Sequence, residues 1–116
     1  MISLQGKPGS VQTVEQNGRS VRVEYDARGN LSAIRVVKGG SSAPVSGSMQ
    51  FMVNDFDARQ ADFKDPEGSS GFYSLGEKGS DAIEVWHGTT WDDTQNKVKE
   101  TTFQEWVDEC VSAMVA

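Results

Sequence analysis

The feature that most constrains the fold is the pair Asn17-Gly18, which stands between two runs of alternating β-branched and polar residues. A two-residue turn of type I′ needs positive φ at both positions, and Asn-Gly is its preferred sequence. A turn at this pair sets Val14 opposite Val21. The chain is therefore predicted to begin with an antiparallel β-hairpin.

A second turn is predicted at residues 26–29, where Asp26 takes the first position and Gly29 the fourth. This pattern is typical of a type I turn closed by a left-handed glycine, and it sets Tyr25 opposite Leu31. Strict alternation then divides the apolar residues between two faces. The predicted core face holds Val14, Val21, Val23, Tyr25, Leu31 and Ala33, and the other face holds Val11, Arg22, Ile34 and Val36.

The same turn carries a short motif: Tyr25-Asp26, two residues, Gly29-Asn30-Leu31. It resembles the tyrosine–aspartate repeats of Rhs-type shell proteins, and that resemblance implies a β-rich shell. Such a shell requires many tandem copies, whereas the motif occurs once in this chain. The sequence therefore favours a two-hairpin meander.

Further strands are predicted downstream of the glycine-rich loop 38–48. A fourth strand starts at Met49, with Phe51 and Val53 on one side and Met52 on the other. The secondary structure of the segment 57–71 is ambiguous, and a one-turn helix over residues 58–63 is one interpretation. Short strands at 72–75 and 82–88 follow, and residues 89–100 are expected to form a polar connection.

The C-terminal segment predicts an amphipathic helix. Thr102 and Glu105 have the spacing of a capping box, in which each side chain accepts from the other's backbone N–H. No cation stands in the last turn to complement the helix dipole. The apolar residues then recur at intervals of three and four, which makes one buried stripe. The stripe comprises Phe103, Trp106, Val107, Cys110, Val111 and Met114.

Together these elements predict a single α+β domain over residues 1–116. It is an antiparallel β-sheet of five to seven short strands, begun by the N-terminal β-meander, with the C-terminal amphipathic α-helix packed on one face. A chain of 116 residues buries enough surface to fold without metals or disulfides. The lone Cys110 lies on the apolar stripe and is interpreted as a core residue, not as a nucleophile.

Charge separates the two halves of the chain. Residues 1–50 carry six basic and three acidic residues, a net +3, and residues 51–116 carry five and fourteen, a net −9. This balance disfavours nucleic-acid binding, which depends on clustered positive charge. Neither a membrane span nor a secretion signal is recognisable, so a cytoplasmic or virion location is expected.

Candidate catalytic and metal-binding residues do not form a set. His87 is the sole histidine, and no nucleophile motif accompanies it. The acidic segment 55–67 fails the calcium-loop template, because Arg59 and Gln60 occupy the positions of a ligand and of the required glycine. We therefore predict no catalytic residues, no metal, no cofactor and no small-molecule substrate.

The remaining signal is Trp86 and Trp91, followed by Asp92 and Asp93. Alternation points Trp86 away from Ile83 and Val85, and tryptophan is enriched at contact hot spots. We expect these four residues to contact a protein partner or a second copy of the chain.

The leading hypothesis is therefore a non-enzymatic protein–protein interaction module, a small accessory subunit of a larger assembly such as a phage or virion decoration protein. One alternative is an acidic inhibitor that occludes a basic site on a host or defence protein. Another is a small hydrolase that uses His87.

Overall fold

The computed structural model describes residues 2–16, 18–37, 45–77, 81–88 and 95–114. Within these ranges the chain forms eight strands and one helix, in the order β1 to β8 and then α1. The strands are β1 (Val11–Gln16), β2 (Arg19–Tyr25), β3 (Leu31–Val37), β4 (Val45–Val53), β5 (Gln60–Lys64), β6 (Ser70–Leu75), β7 (Ala82–His87) and β8 (Asn96–Thr102), and the helix is α1 (Phe103–Ala113).

The topology is a plain meander, because each strand pairs antiparallel with the next along the chain. The predicted α+β class, the antiparallel sheet and the C-terminal helix are confirmed, and the sheet has one strand more than the upper predicted number. The helix considered for residues 58–63 is wrong, since β5 lies there. The connection predicted for residues 89–100 is wrong in its second half, where β8 begins.

Both predicted registers of the first hairpins are confirmed: Val14 pairs with Val21, and Tyr25 pairs with Leu31. Gly18 has φ +73° and Gly29 has φ +83°, the left-handed values that these turns require. Asn17 lies outside the described residues. The Asp26 carboxylate fixes the second turn by accepting the backbone N–H groups of Arg28, at 2.8 Å, and Asn30, at 3.0 Å.

The predicted division of β3 between the two faces is wrong at three residues. A β-bulge interrupts the β2–β3 pairing next to Tyr25, so that Val23 pairs with Ile34 and Glu24 pairs with Ala33. Ile34 and Val36 therefore face the core, and Ala33 faces the opposite side. One extra residue reverses every side chain beyond it, which strict alternation cannot anticipate.

The core lies between one face of the sheet and α1. Trp106 sits at its centre, with its ring centroid 4.9 Å from that of Phe63 and 5.8 Å from that of Tyr73. Thr102 caps the helix as predicted, because its Oγ1 accepts the Glu105 N–H at 3.2 Å. The Glu105 carboxylate accepts from the Thr101 hydroxyl at 3.0 Å. The second hydrogen bond of the capping box therefore comes from a side chain and not from the backbone.

A cation from another element complements the helix C-terminus. Arg19, at the start of β2, donates from Nη1 to the carbonyl oxygens of Val111, at 3.0 Å, and of Met114. These carbonyls lie at the negative end of the helix dipole, and that of Val111 also accepts the backbone N–H of Met114, at 3.2 Å. The tertiary fold therefore supplies the charge that the sequence of the last turn lacks, and it ties the first hairpin to the last element.

Candidate functional site

The side of the sheet opposite α1 is the candidate site, and we call it the helix-free face. None of the elements within the described ranges packs on it. Strand registers align one outward side chain from each of five neighbouring strands into a straight line. This central row consists of Met52, Asp62, Phe72, Trp86 and Lys97, from β4 to β8.

Two aromatic rings occupy the middle of the central row. Phe72 and Trp86 stack with centroids 5.6 Å apart and ring planes within 7°. Phe72 is only 4% exposed, because the half-buried indole covers it. The indole N–H of Trp86 donates to Glu84 Oε1 at 3.3 Å, which fixes the ring in place. A tryptophan that is already ordered loses little rotamer freedom on contact with a partner.

Met52 lies in the same row on β4, separated from the stack by Asp62, and its side chain is 73% exposed. Next to it Asp62 places one carboxylate oxygen, Oδ1, out of reach of water and without a hydrogen bond. Beside both residues lies a shallow depression of about 290 Å³, bordered by Lys64 and Gly71. An unpaired carboxylate oxygen among apolar groups favours a cationic neighbour from outside.

Charges on the helix-free face are nearly balanced, unlike those of the whole chain. The strands project five acidic and four basic side chains to this side, although the chain carries a net −6. The basic residues are Arg22, Arg35, Lys64 and Lys97, and the acidic residues are Glu15, Glu24, Asp62, Glu84 and Glu100. Within the described residues, most of the acid excess therefore lies on the loops and the helix.

Six of these nine charges form two clusters, one on each side of the face. On β2 and β3, Glu24 lies between two arginines, 2.7 Å from Arg35 Nε and 3.9 Å from Arg22 Nε. On β7 and β8, Lys97 Nζ lies between two carboxylates, at 3.2 Å from Glu100 and 3.9 Å from Glu84. The cluster on β2 and β3 thus carries a net positive charge and the cluster on β7 and β8 a net negative charge, while Glu15 on the edge strand β1 adds one acid beside the first cluster.

Of the four predicted interaction residues, one lies within the described part of the chain. Trp86 lies on the helix-free face, with Ile83 and Val85 on the core side, as alternation predicted. Trp91, Asp92 and Asp93 fall outside the described residues.

His87 is exposed at the end of β7, where it pairs with Gly71 and Asn96. Its imidazole forms no hydrogen bond or ion pair with any residue that the structure describes. No described carboxylate orients it as a general base would require.

Carboxylates of the acidic segment 55–67 stabilise the turns before and after β5 by accepting backbone N–H groups. Asp57 Oδ1 accepts the N–H of Arg59 at 3.0 Å, and Asp65 Oδ1 accepts the N–H of Glu67 and of Ser69, at 3.0 and 2.8 Å. Among the described residues no three metal-ligating side chains come together.

Cys110 packs against the core from α1. Burial raises the pKa of its thiol to about 12, and the neighbouring charges of Glu109 and Asp65 add to this effect. The thiol is therefore neutral at physiological pH, which is the state of a structural cysteine and not of a nucleophile.

We expect iodoacetamide to alkylate Cys110 at pH 8 at least ~100-fold more slowly in the folded protein than in the urea-unfolded protein, because the thiolate fraction is much smaller in the folded protein.

The raised pKa of the Cys110 thiol also predicts that the melting temperature falls between pH 9 and pH 12. In that window the unfolded thiol has lost its proton and the folded thiol has kept it, which favours unfolding. Cys110→Ala should show a shallower fall, and equal slopes would contradict the prediction.

Comparison of the chain with protein-family models, with curated protein sequences and with solved structures finds no match. No helix in the described part of the chain is long and apolar enough to cross a membrane.

Sequence reasoning found one residue of the central row and missed the others. Met52 and Phe72 were placed on strands, but the row becomes visible only when β5 is inserted between those strands. The alternation of Ala61, Asp62 and Phe63 was the available signal. It is short, and an acidic residue stands in its middle.

Proposed function

We propose that this protein is a non-enzymatic interaction subunit that docks onto a protein surface through the helix-free face of its sheet. The observation that carries the proposal is the ordered Trp86–Phe72 stack in one row with the exposed Met52, on a face that no described element covers. Tryptophan and methionine are enriched at protein interfaces.

The composition of the face supports a protein partner. An outward sheet face in water is ordinarily polar, whereas here Met52, Phe72 and Trp86 place three apolar side chains in one row, with Asp62 between Met52 and Phe72. Apolar side chains with charged groups around them are the usual anatomy of a protein–protein interface. The near-balance of five acids and four bases also reduces the net repulsion that the chain's acidic character would impose on an acidic partner.

An accessory subunit of a larger assembly fits this surface better than an acidic inhibitor does. An inhibitor of a basic site would need its acidic groups free to face that site. In the described loops, however, Asp57 and Asp65 hold turns, and Asp55 lies 3.7 Å from Arg28. A virion or phage decoration protein is one member of the proposed class.

Site-specific photocrosslinking in the cells that make the protein tests this proposal. A benzophenone amino acid at position 52 should form a covalent adduct of one discrete mass, because Met52 lies beside the docking centre. The matched control is position 56, where Phe56 is also apolar and is 91% exposed on the β4–β5 loop. Adducts should form from position 52 and not from position 56.

A Trp86→Ala background sharpens the experiment, since loss of the indole should reduce the yield of the position-52 adduct severalfold. The proposal fails if position 52 gives no adduct or if positions 52 and 56 give the same adducts. It also fails if Trp86→Ala leaves the yield of the position-52 adduct unchanged.

A further inference from the structure

We infer that the protein that docks on the helix-free face places a cationic side chain, an arginine or a lysine, against the carboxylate of Asp62. The inference rests on the proposed function and names the chemistry that the partner brings to this face. Asp62 then determines specificity, because a partner without a matching cation would bury the carboxylate without compensation.

Among the five acids of the helix-free face, Asp62 alone has no partner within the described residues. Its carboxylate forms no hydrogen bond and no ion pair with any of them. Each of the other four acids lies against a basic or a hydroxyl group. The pairs are Glu15 with Ser20, Glu24 with Arg35, and both Glu84 and Glu100 with Lys97. The acid in the central row is therefore the one that the fold leaves unpaired.

The neighbours of Asp62 across the sheet are apolar. Asp62 pairs directly with Met52 on β4 and with Phe72 on β6, and side chains that are directly opposite in a sheet have Cβ atoms about 4.5–5.5 Å apart. Oδ1 of Asp62 is shielded from water, whereas Oδ2 is not enclosed and a donor can reach it. An unpaired charge beside apolar groups is unfavourable, and a cation from outside relieves this cost.

Docking on the helix-free face would complete the burial of this carboxylate. Met52 lies on one side of Asp62 and the Trp86–Phe72 stack on the other, so a partner that covers both also covers Asp62. A carboxylate that is taken out of water without a counter-charge destabilises the complex strongly, and a charge-assisted hydrogen bond from a cation offsets that cost. The surface therefore selects against partners that are apolar at this point.

The basic residues of the face do not supply this counter-charge. Lys64 projects from the same side of β5 as Asp62, two residues and about 7 Å along the strand, and it forms no ion pair with the described residues. The other three lie against carboxylates of the two charged clusters. They are Arg22, Arg35 and Lys97. The cation for Asp62 therefore comes from the partner.

The shallow depression beside Asp62 has room for one long side chain. Its volume of about 290 Å³ equals the share of about ten water molecules in the liquid, and Met52 and Lys64 border it. Arginine and lysine both join an apolar stem to a charged end. The stem would contact Met52 while the charged end reaches Oδ2 of Asp62.

The sign of the effect of Asp62→Leu separates a cationic partner from an apolar one. Docking is measured, in the cells that make the protein, as the adduct yield from a benzophenone amino acid at position 50. Gln50 is exposed on the helix-free face, and its replacement leaves Met52 in place. With a cationic partner, leucine leaves the partner's charge buried and unpaired, so the yield should fall at least ~10-fold. With an apolar partner, leucine removes a buried charge and the yield should rise.

Three controls separate docking from folding and from general charge. The melting temperature of the isolated Asp62→Leu chain should stay the same or rise, because the substitution removes an unpaired carboxylate. Glu67→Leu, at an exposed position on the turn between β5 and β6, should leave the adduct yield unchanged. Lys64→Met should change the yield less than ~2-fold, because the cation for Asp62 comes from the partner.

Peptide mapping of the position-50 adduct identifies the segment of the partner that lies on the face, and this segment should contain an arginine or a lysine. Replacement of that residue by leucine in the partner should lower the adduct yield with the unchanged chain. The same replacement should restore the yield with Asp62→Leu, since two apolar groups in contact leave no charge unpaired.

A mapped segment without a basic residue overturns the inference. An adduct yield that rises or stays constant in Asp62→Leu also overturns it, as does an equal loss of yield in Lys64→Met. Adducts from positions 50 and 52 that persist in Asp62→Leu would leave the proposed function standing and remove the cationic contact. If neither position forms an adduct in the unchanged chain, the proposed function itself fails.

Discussion

Replacement of Trp106 by alanine is expected to lower the free energy of unfolding by about 3–5 kcal/mol, the largest effect of any single truncation among the described residues. The indole is only 5% exposed and joins α1 to the sheet. It contacts four aromatic rings with centroid distances of 4.9 to 6.2 Å, and no other side chain makes as many ring contacts among the described residues. Alanine would leave a cavity between elements that are far apart in sequence.

Urea unfolding followed by far-ultraviolet circular dichroism measures this loss. Trp86→Ala is the matched control, because it removes the same side chain from the helix-free face. Its indole stacks on one ring and is half-buried, so the expected cost is about 1 kcal/mol. Equal losses in the two variants would contradict the placement of the core on the α1 side of the sheet.

Replacement of Gly71 by alanine should cost about 2–3 kcal/mol, which is unusual for the addition of one methyl group. A Cβ at this position would lie 2.5 Å from the carbonyl oxygen of Trp86 and 2.6 Å from Cζ of Phe63. The carbonyl belongs to the neighbouring strand and the ring belongs to the core. Neither atom can move away without displacing β7 or the Phe63–Trp106 contact.

Thermal unfolding of Gly71→Ala and Ser70→Ala provides the comparison. Ser70 is the preceding residue of β6 and is exposed, so its replacement should change stability by no more than about 0.5 kcal/mol. If Gly71→Ala is as stable as Ser70→Ala, the close approach of β6 to β7 is refuted.

The parts of the fold that were predictable from sequence are those set by local chemistry. Gly18 and Gly29 supply backbone conformations that few other residues adopt, so two turns and their registers followed directly. The helix followed from Thr102 and a regular apolar stripe. In both cases the information lies within a few consecutive residues.

The parts that escaped prediction depend on neighbours distant in the chain. The bulge that turns Ala33 outward arises from how β3 pairs with β2 and β4, and β8 is an edge strand whose outward residues are charged. Arg19 reaches the C-terminus of α1 across more than ninety residues. The central row is equally non-local, since each of its members comes from a different strand.

The meander order also dictates how the molecule is assembled as it is synthesised. Each strand pairs with the one made just before it, so hairpins are able to close in sequence as the chain emerges. The helix that covers the apolar side of the sheet, α1, is synthesised after all eight strands. Until α1 has left the ribosome, the apolar side of the sheet has no helix to cover it, and exposed apolar surface of this kind favours association with other chains.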